Sequence, residues 1–492
     1  MNGVWVLRLC VAFFVVAVSG CITVGPDYDQ RQGTQVPSAP VAWQQPLPHG
    51  GDIVALGNWW SQFNDPVLLE LIDSAQQQSQ SMAAAALRIA QARAVLVTAN
   101  AAAVPNINAA AVGTRGTFQL GGPIIVATTT QAQLQLGWEI DLFGGLSRAN
   151  EAALARLDAQ VANWHEARIS VSADIANLYT NFRGCEQLAA LARADLRSRV
   201  QTADLTQKLA ESGFQSPAAA SLASASAAEG QSRVAAQSAD CDILIKALVA
   251  VTGLVEVDLR ARLSTQSSKL PTPAMPALKQ VPAQVLSQRP DIAAAERDVA
   301  AASAEIGVRE AERNPRLSLL GNIGPLGFET SAGSINATSW SIGPSLSLPI
   351  FDAGRRAANV DTAITAYEVA ANNYRTQARR AVREVEEALV RLSSLDIREK
   401  ESLKASKGYH ASLRAMQEKY KFGLASILDL EETRRLSFNA DNVLATVRRE
   451  RVNAFIALYR AVGGGWTASD SLNTLQTAMS RPVDILKAKA QP

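Results

Sequence analysis

One spacing constrains this chain more than any other feature: the sequence repeats itself at an interval of about 210 residues. Pro105 matches Pro315, Ile175 matches Val385, Gly213 matches Gly423 and Ser216 matches Ser426. Ala247 and Gly253 likewise match Ala457 and Gly463, while Phe143 and Arg148 fall against Phe351 and Arg356 with a slip of two. A single offset held from end to end is the mark of a duplication, and it sets the fold reading before any single element does. The first copy spans 58–269, a Pro-rich linker 270–282 follows, the second copy spans 283–465, and 466–492 is a tail.

Each copy has the same order of elements: helix, two strands, a very long helix, a sharp turn and a return helix. From Gln131 to Leu142 the even positions are Ala132, Leu134, Leu136, Trp138, Ile140 and Leu142, whereas the odd ones are polar, charged or glycine. Strict period two over about twelve residues suits a strand crossing a membrane at a tilt. The second copy sets Trp340, Ile342, Leu346, Leu348 and Ile350 against Ser339, Ser341, Gly343, Ser345 and Ser347. Weaker partners precede each strand, near Ile107 to Thr117 and Leu317 to Gly324, giving β-hairpins at 105–142 and 315–350. Loops at Gly121-Gly122-Pro123 and Ser331 to Asn336 would close them. A small periplasmic sheet with one wet face is the plainer reading of any one such strand. Four strands in a membrane must close into a barrel, however, and eight is the smallest usual count. The chain must then oligomerise, and three copies supply an even twelve.

The helical hairpins, at 146–253 and 354–462, contain the longest elements. No proline interrupts Leu146 to Ser212 or Gly354 to Phe422, and at ~1.5 Å per residue each run would reach roughly 100 Å. Ala378, Val382, Val385, Leu389 and Leu392 step by four and three, and Leu413, Met416 and Tyr420 resume the phase of a coiled-coil seam. Composition agrees: 48% of residues are hydrophobic but only 5% aromatic, as helices packed through small side chains require. At both hairpin turns a glycine, Gly213 or Gly423, is placed to end a helix in a left-handed cap, and Ser216 or Ser426 to cap the next helix. Cys185 and Cys241 lie about equally far on either side of Gly213, so an antiparallel hairpin brings them to one level and predicts a disulfide.

The first twenty residues read as an export signal, with Arg8 ahead of the apolar run Leu9 to Val18. Val18-Ser19-Gly20-Cys21 resembles a bacterial lipobox, which implies cleavage before Cys21 and a covalent lipid on it; Ile22, where inner-membrane retention usually needs Asp, implies sorting to the outer membrane. Residues 21–57, rich in Pro, Gln and Gly, read as an extended tether.

Val24-Gly25-Pro26-Asp27-Tyr28 and Asn58-Trp59-Trp60 with Phe63, Asp65-Pro66 and Leu68 open the first copy. Arg289-Pro290-Asp291-Ile292 with Ala295-Glu296, then Pro349-Ile350-Phe351-Asp352-Ala353-Gly354-Arg355-Arg356, mark the second. Taken in order, these motifs resemble the outer-membrane efflux lipoproteins of the NodT and OprM type, within the TolC-like superfamily, and the resemblance covers nearly the whole mature chain. It implies a mixed α and β membrane protein: a homotrimeric duct with a twelve-stranded outer-membrane β-barrel, four strands per protomer, continued by a long periplasmic α-helical barrel. It also implies a passive exit duct for small molecules such as drugs or toxic organic compounds. The partners are a periplasmic adaptor and an inner-membrane pump, most often a proton-driven RND transporter. A type I secretion duct and a non-conducting coiled-coil lipoprotein are the alternatives.

Site residues follow from the same resemblance. Asp429 and Glu432, six and nine positions after Gly423, match the acidic ring at the periplasmic constriction, and Tyr420 matches a tip tyrosine that helps hold the closed state. Three copies would aim six carboxylates at one axis, raising some of their pKa values and favouring cations. Local sequence offers another reading, since Ser426-Ile427-Leu428-Asp429 is also a capping box and Tyr420 also suits a coiled-coil core. Ala219 stands where the TolC pattern can carry an acid on the first hairpin, which puts a link between hairpins through that acid in doubt. The turn residues Gly213, Ser216, Gly423, Leu424 and Ser426 would meet the adaptor, and Arg355 and Arg356 read as first-turn or lipid-headgroup contacts.

Nothing in the chain points to catalysis or a metal. His49, His165 and His410 are far apart, and no phosphate loop or G-x-S-x-G elbow is present. Lys plus Arg number 47 against 45 acids, a net +2 without the concentrated basic footprint that nucleic acid demands. No cofactor is expected beyond the lipid on Cys21.

Overall fold

In a computed structural model, residues 23–28, 59–119, 124–267, 269–271, 273, 288–467 and 470 are described. Cys21, nearly all of the tether, Gly121-Gly122-Pro123, most of the linker and most of the tail lie outside these residues. The elements run α1 (Pro66–Gln78), α2 (Gln80–Ala102), β1 (Asn106–Phe118), β2 (Ile125–Ile140), α3 (Gly145–Glu211), α4 (Pro217–Thr252) and α5 (Glu256–Ser264). The second copy continues with α6 (Pro290–Ala311), β3 (Arg316–Thr330), β4 (Gly333–Ser347), α7 (Arg355–Lys421) and α8 (Ile427–Ala461). The duplication is carried into the fold: α2 and α6, β1 and β3, α3 and α7, and α4 and α8 each begin 210 residues apart. Both long helices have 67 residues.

The chain divides into two compact units. One holds Leu87–Val161, Ala293–Thr376 and the N-terminal segment that includes residues 23–28; the other holds the remainder of the helices.

In the first unit the strands form one antiparallel sheet in the order β1-β2-β3-β4, so β2 and β3 join the two copies. Its register sorts side chains by face, because directly paired residues point the same way and neighbours along a strand point oppositely. Ala109, Leu134, Ile323 and Trp340 form one cross-strand row. The adjacent row is Asn108, Gln135, Asn322 and Ser341. In these central rows one face is apolar and the other polar across all four strands, whereas nearer the hairpin turns the row Arg115, Thr128, Glu329 and Ser334 is polar on the first face and Leu326, Phe328 and Ile335 lie on the second.

Three strand boundaries differ from the sequence reading. β2 begins at Ile125, six residues before the alternation that marked it, because Thr128-Thr129-Thr130 hides the period while suiting a strand. The second hairpin closes more tightly than expected: Thr330 pairs with Gly333, leaving Ser331 and Ala332 as the turn. Gly333 is at φ +146°, a backbone open to glycine alone. β4 ends at Ser347, so Leu348, Ile350 and Phe351 lie beyond it.

Alanines allow α6 to approach α3 closely in this unit, and Ala155, Ala300 and Ala301 share a buried cluster. Arg148 sits across the α3 start at 4% exposure, donating to the carbonyls of Val24 and Gly25 and pairing with Asp27 at 2.5 Å and Glu151 at 2.8 Å. Burial of a guanidinium is tolerated because all of these partners accept from it. The Val24-Gly25-Pro26-Asp27-Tyr28 motif is thereby a strap over the helix pair, and the Tyr28 hydroxyl donates to Glu296.

The second unit is built on the helical hairpins. Asp65 caps α1, accepting from the Val67 and Leu68 amides, and its other oxygen takes the Tyr179 hydroxyl at 2.5 Å. Trp59 stacks on Phe455 at 4.7 Å and Trp60 meets Tyr459 edge-on at 4.6 Å. The seam residues Ala378, Val385, Leu389 and Leu392 are buried, whereas Leu413, Met416 and Tyr420 are half-buried.

Candidate functional site at the hairpin turns

Both turns are made by the same local chemistry. Gly213 and Gly423 adopt φ +80° and +73°, and the amides of Phe214 and Leu424 return to the carbonyls of Leu209 and Lys419, each at 2.8 Å. That left-handed residue satisfies the last carbonyls of α3 and α7. Ser216 then accepts from the Ala219 amide at 3.1 Å, with Pro217 in the first position of α4, where its lack of an N–H costs nothing. At the second turn Ser426 accepts from the Asp429 amide at 3.2 Å, while the Asp429 carboxylate accepts from the Ser426 amide at 3.0 Å. This is a complete capping box. Phe214, Phe422 and Leu424 project around the turns at 79%, 76% and 76% exposure.

Asp429 also accepts from the Ser426 hydroxyl at 2.6 Å. These bonds, side-chain first and then backbone, hold its carboxyl below the usual range. Within one chain its pKa thus moves opposite to the rise expected from crowded carboxylates. Glu432 is on the same helix but is engaged by Arg435, which donates to both of its oxygens. The two acids therefore differ: Asp429 is held ionised by a cap, and Glu432 is offset by a cation three residues on.

The Tyr420 hydroxyl meets Thr206 at 3.0 Å, tying the last turn of α7 to α3. Above it lies a network that the sequence reading missed. Arg199, 4% exposed, pairs with Asp195 at 2.8 Å and Glu431 at 3.2 Å, and Ser226 donates to Glu431 at 2.7 Å. Arg434 pairs with Glu431 and donates to Thr202 at 2.8 Å. Burial lowers the pKa of the Arg434 guanidinium. A cross-link between the two hairpins is therefore present without an acid at Ala219. A signal existed: Ile427, Leu430, Arg434 and Ser437 step by three and four, so Arg434 occupies a buried seam position.

Cys185 and Cys241 are joined, with their Cα atoms 5.6 Å apart on α3 and α4. Arg356 pairs with Asp352 at 2.8 Å in the first turn of α7. Among the described residues no group of three or more His, Cys, Asp or Glu side chains is arranged to hold a metal.

Comparison with known proteins places this geometry. The family described as "Outer membrane efflux protein" matches residues 71–254 and again 281–464, one match per copy of the repeat. Nodulation protein T of Rhizobium leguminosarum bv. trifolii is 32% identical over 93% of this chain and 97% of its own. Outer membrane protein OprJ of Pseudomonas aeruginosa is 30% identical over 94% and 96%. The solved outer-membrane channel OprN superposes with a TM-score of 0.79 at 25% identity, covering 90% of this chain and 99% of that one. With both repeats matched and relatives aligned from end to end, the chain belongs to the outer membrane efflux protein family.

Proposed function

We propose that three copies of this chain form the outer-membrane exit duct of a tripartite efflux system. The observation that carries the reading is the four-stranded sheet, whose central rows are apolar on one face and polar on the other and whose outer strands are β1 and β4. In hydrocarbon every strand edge must be paired, so such a sheet closes only with sheets from other copies. Three give twelve strands around a polar lumen. The lipid on Cys21 would anchor each protomer beside the barrel, since acyl chains add to the membrane affinity of the strands.

The hairpin tips with Gly213, Ser216, Gly423, Leu424 and Ser426 would receive a periplasmic adaptor. The exposed Phe214, Phe422 and Leu424 support this by offering apolar area that water leaves unsatisfied. An inner-membrane pump, of the proton-driven RND type, would deliver small organic molecules through that adaptor. Asp429 and Glu432 would line the constriction, with Tyr420 bracing it and the Cys185–Cys241 disulfide stiffening the first hairpin. The duct supplies a path and no chemistry.

Single-channel recording of the purified protein in a planar bilayer tests the reading. Discrete, cation-selective current steps are the expected result. A folded trimer that passes no current under any potential would leave only a structural lipoprotein.

A further inference from the structure

Where α3 of the first copy packs on α8 of the second, one layer holds more hydrogen-bond donors than acceptors. Thr180, Arg183 and Gly184 are three and four residues apart on α3 and so share one face. Thr180 and Arg183 are fully buried. From α8, Asn453 donates to Asn181 at 2.9 Å, and the stem of Arg449 lies over Gly184, where a Cβ would stand 2.6 Å from Arg449 Cδ. Glycine at 184 is what lets an arginine from α8 cross α3 at this level. Four buried donor atoms in the layer bond to nothing: Nε and Nη2 of Arg183, Nε of Arg449 and the Thr180 hydroxyl. Against them stands one unbonded acceptor, Asn453 Oδ1, which has two lone pairs at most.

Charge is unbalanced in the same sense. Arg183 stacks on Tyr179 at 4.8 Å and on Phe182 at 5.5 Å, and its ion pair is with Glu186 at 2.7 Å. Arg449 has no ion pair among the described residues. The acids on the neighbouring turns of α7 and α8 are taken, Asp396 by Arg451 at 2.8 Å, Glu399 by Arg448 at 3.1 Å and Glu450 by Arg398 at 3.1 Å. Asp65, beside Tyr179, is occupied by the α1 amides and the Tyr179 hydroxyl. Two guanidinium groups therefore meet one carboxylate in this layer.

We infer that Arg183, Arg449 and Thr180 hold a small monovalent anion, of the size and charge of chloride, between α3 and α8. Full burial of Arg183 limits the size, and one guanidinium in excess of Glu186 sets the charge. Water could accept from the same donors, but it would leave that excess charge uncompensated where solvent does not reach. The counterparts 210 residues on are Val390, Ser393 and Ser394, with neither a guanidinium nor a glycine, so the site occurs once per chain. Bound there, next to the disulfide at Cys185, the ion ties the first hairpin to the second. Both helices belong to one chain, so the inference stands apart from the trimeric reading.

Thermal unfolding of the full-length, exported protein in chloride and in gluconate, at one fixed ionic strength, tests for the ion, and bromide soaks of its crystals locate it. The midpoint should rise with chloride concentration, because an ion that binds the folded state alone stabilises it by mass action. Gluconate, too large for the layer, should give no such rise. Bromide should give one anomalous peak per chain, in contact with both guanidinium groups. Arg449→Gln, at a half-buried position, should abolish the chloride-specific rise and the peak. Thr180→Val keeps the shape and removes one donor, so more chloride should be needed for the same rise; it decides the matter if Arg449→Gln does not fold. Equal midpoints in chloride and gluconate, with no bromide peak in the layer, would overturn the inference and leave water as the acceptor. A chloride-specific rise that survives Arg449→Gln, or a bromide peak only elsewhere, would overturn it too, by placing the ion at another site.

Discussion

Two adjacent side chains on α3, His165 buried and Glu166 half-buried, titrate in opposite senses and set how stability depends on pH. Burial, then the neighbouring Asp291 carboxylate, pushes the Glu166 carboxyl up to about 7, against the pull of Arg289 and Arg460. Burial, then Arg168, pushes the adjacent His165 imidazole down to about 4. An acid whose pKa is raised by folding holds its proton longer in the folded state, so stability falls as pH rises from about 4.5 to about 7. A histidine lowered by folding must gain a proton on unfolding, so stability falls as pH drops from about 6.5 towards about 4. Glu166→Gln removes the first slope. Its thermal midpoint should rise relative to the parent above pH 7, by an equivalent of about 1–3 kcal/mol, and should fall monotonically below pH 6.5. A variant whose melting profile keeps the parent's decline between pH 5 and 7 would show that Glu166 is ionised throughout. Glu166 was not legible as a titrating group in the sequence, because Asp291, Glu384 and Arg460 reach it from far along the chain, and His165 was not because its shift comes first from burial. Ser426 with Asp429 was legible, since a capping box is complete within four residues.

Among the elements, those specified locally were read to within a residue, and those specified by a partner were not. The expected long helices, 146–212 and 354–422, fall at Gly145–Glu211 and Arg355–Lys421 because glycine and serine caps mark their ends. The onset of β2 and the tight second β-turn were hidden, since pairing with β1 and β3 decides them and polar threonines obscure the period. The Arg199–Glu431 link spans 232 residues and leaves no local trace beyond an arginine in a seam. The disulfide is an intermediate case: position in a hairpin sufficed to pair Cys185 with Cys241. Its closure of 56 residues restricts the unfolded chain, so Cys185→Ser with Cys241→Ser should lose about 2–4 kcal/mol. The expected readout is a lower thermal midpoint that reductant no longer changes, whereas reductant should lower the parent's. At the second turn, a Cβ on Gly423 would meet nothing within 4 Å, yet φ is +73°. Gly423→Ala should therefore cost only left-handed backbone strain, about 1–2 kcal/mol. Faster amide exchange confined to the turn, with an unchanged channel, is the expected result.

In the trimeric duct proposed above, the charge at the constriction would be smaller than a count of carboxylates suggests. Each protomer would bring Asp429 and Glu432, but Arg435 donates to both oxygens of Glu432. The two acids and one base leave one net negative charge per chain, carried by Asp429, whose cap favours its ionised form. Three such charges around a narrow axis would attract cations, over a range of about 10 Å at 0.1 M salt. Arg435 should accordingly show itself in a reversal-potential measurement across a KCl gradient. Asp429→Asn and Glu432→Gln each leave one acid against one base, so each should abolish most of the cation preference. Arg435→Gln should increase the preference by releasing Glu432. Since surface charges are screened, the contrast between Arg435→Gln and the parent should shrink as KCl is raised to 1 M, where the screening length is about 3 Å. No gain from Arg435→Gln would mean that the helices rearrange on assembly and that Arg435 does not offset Glu432 in the ring.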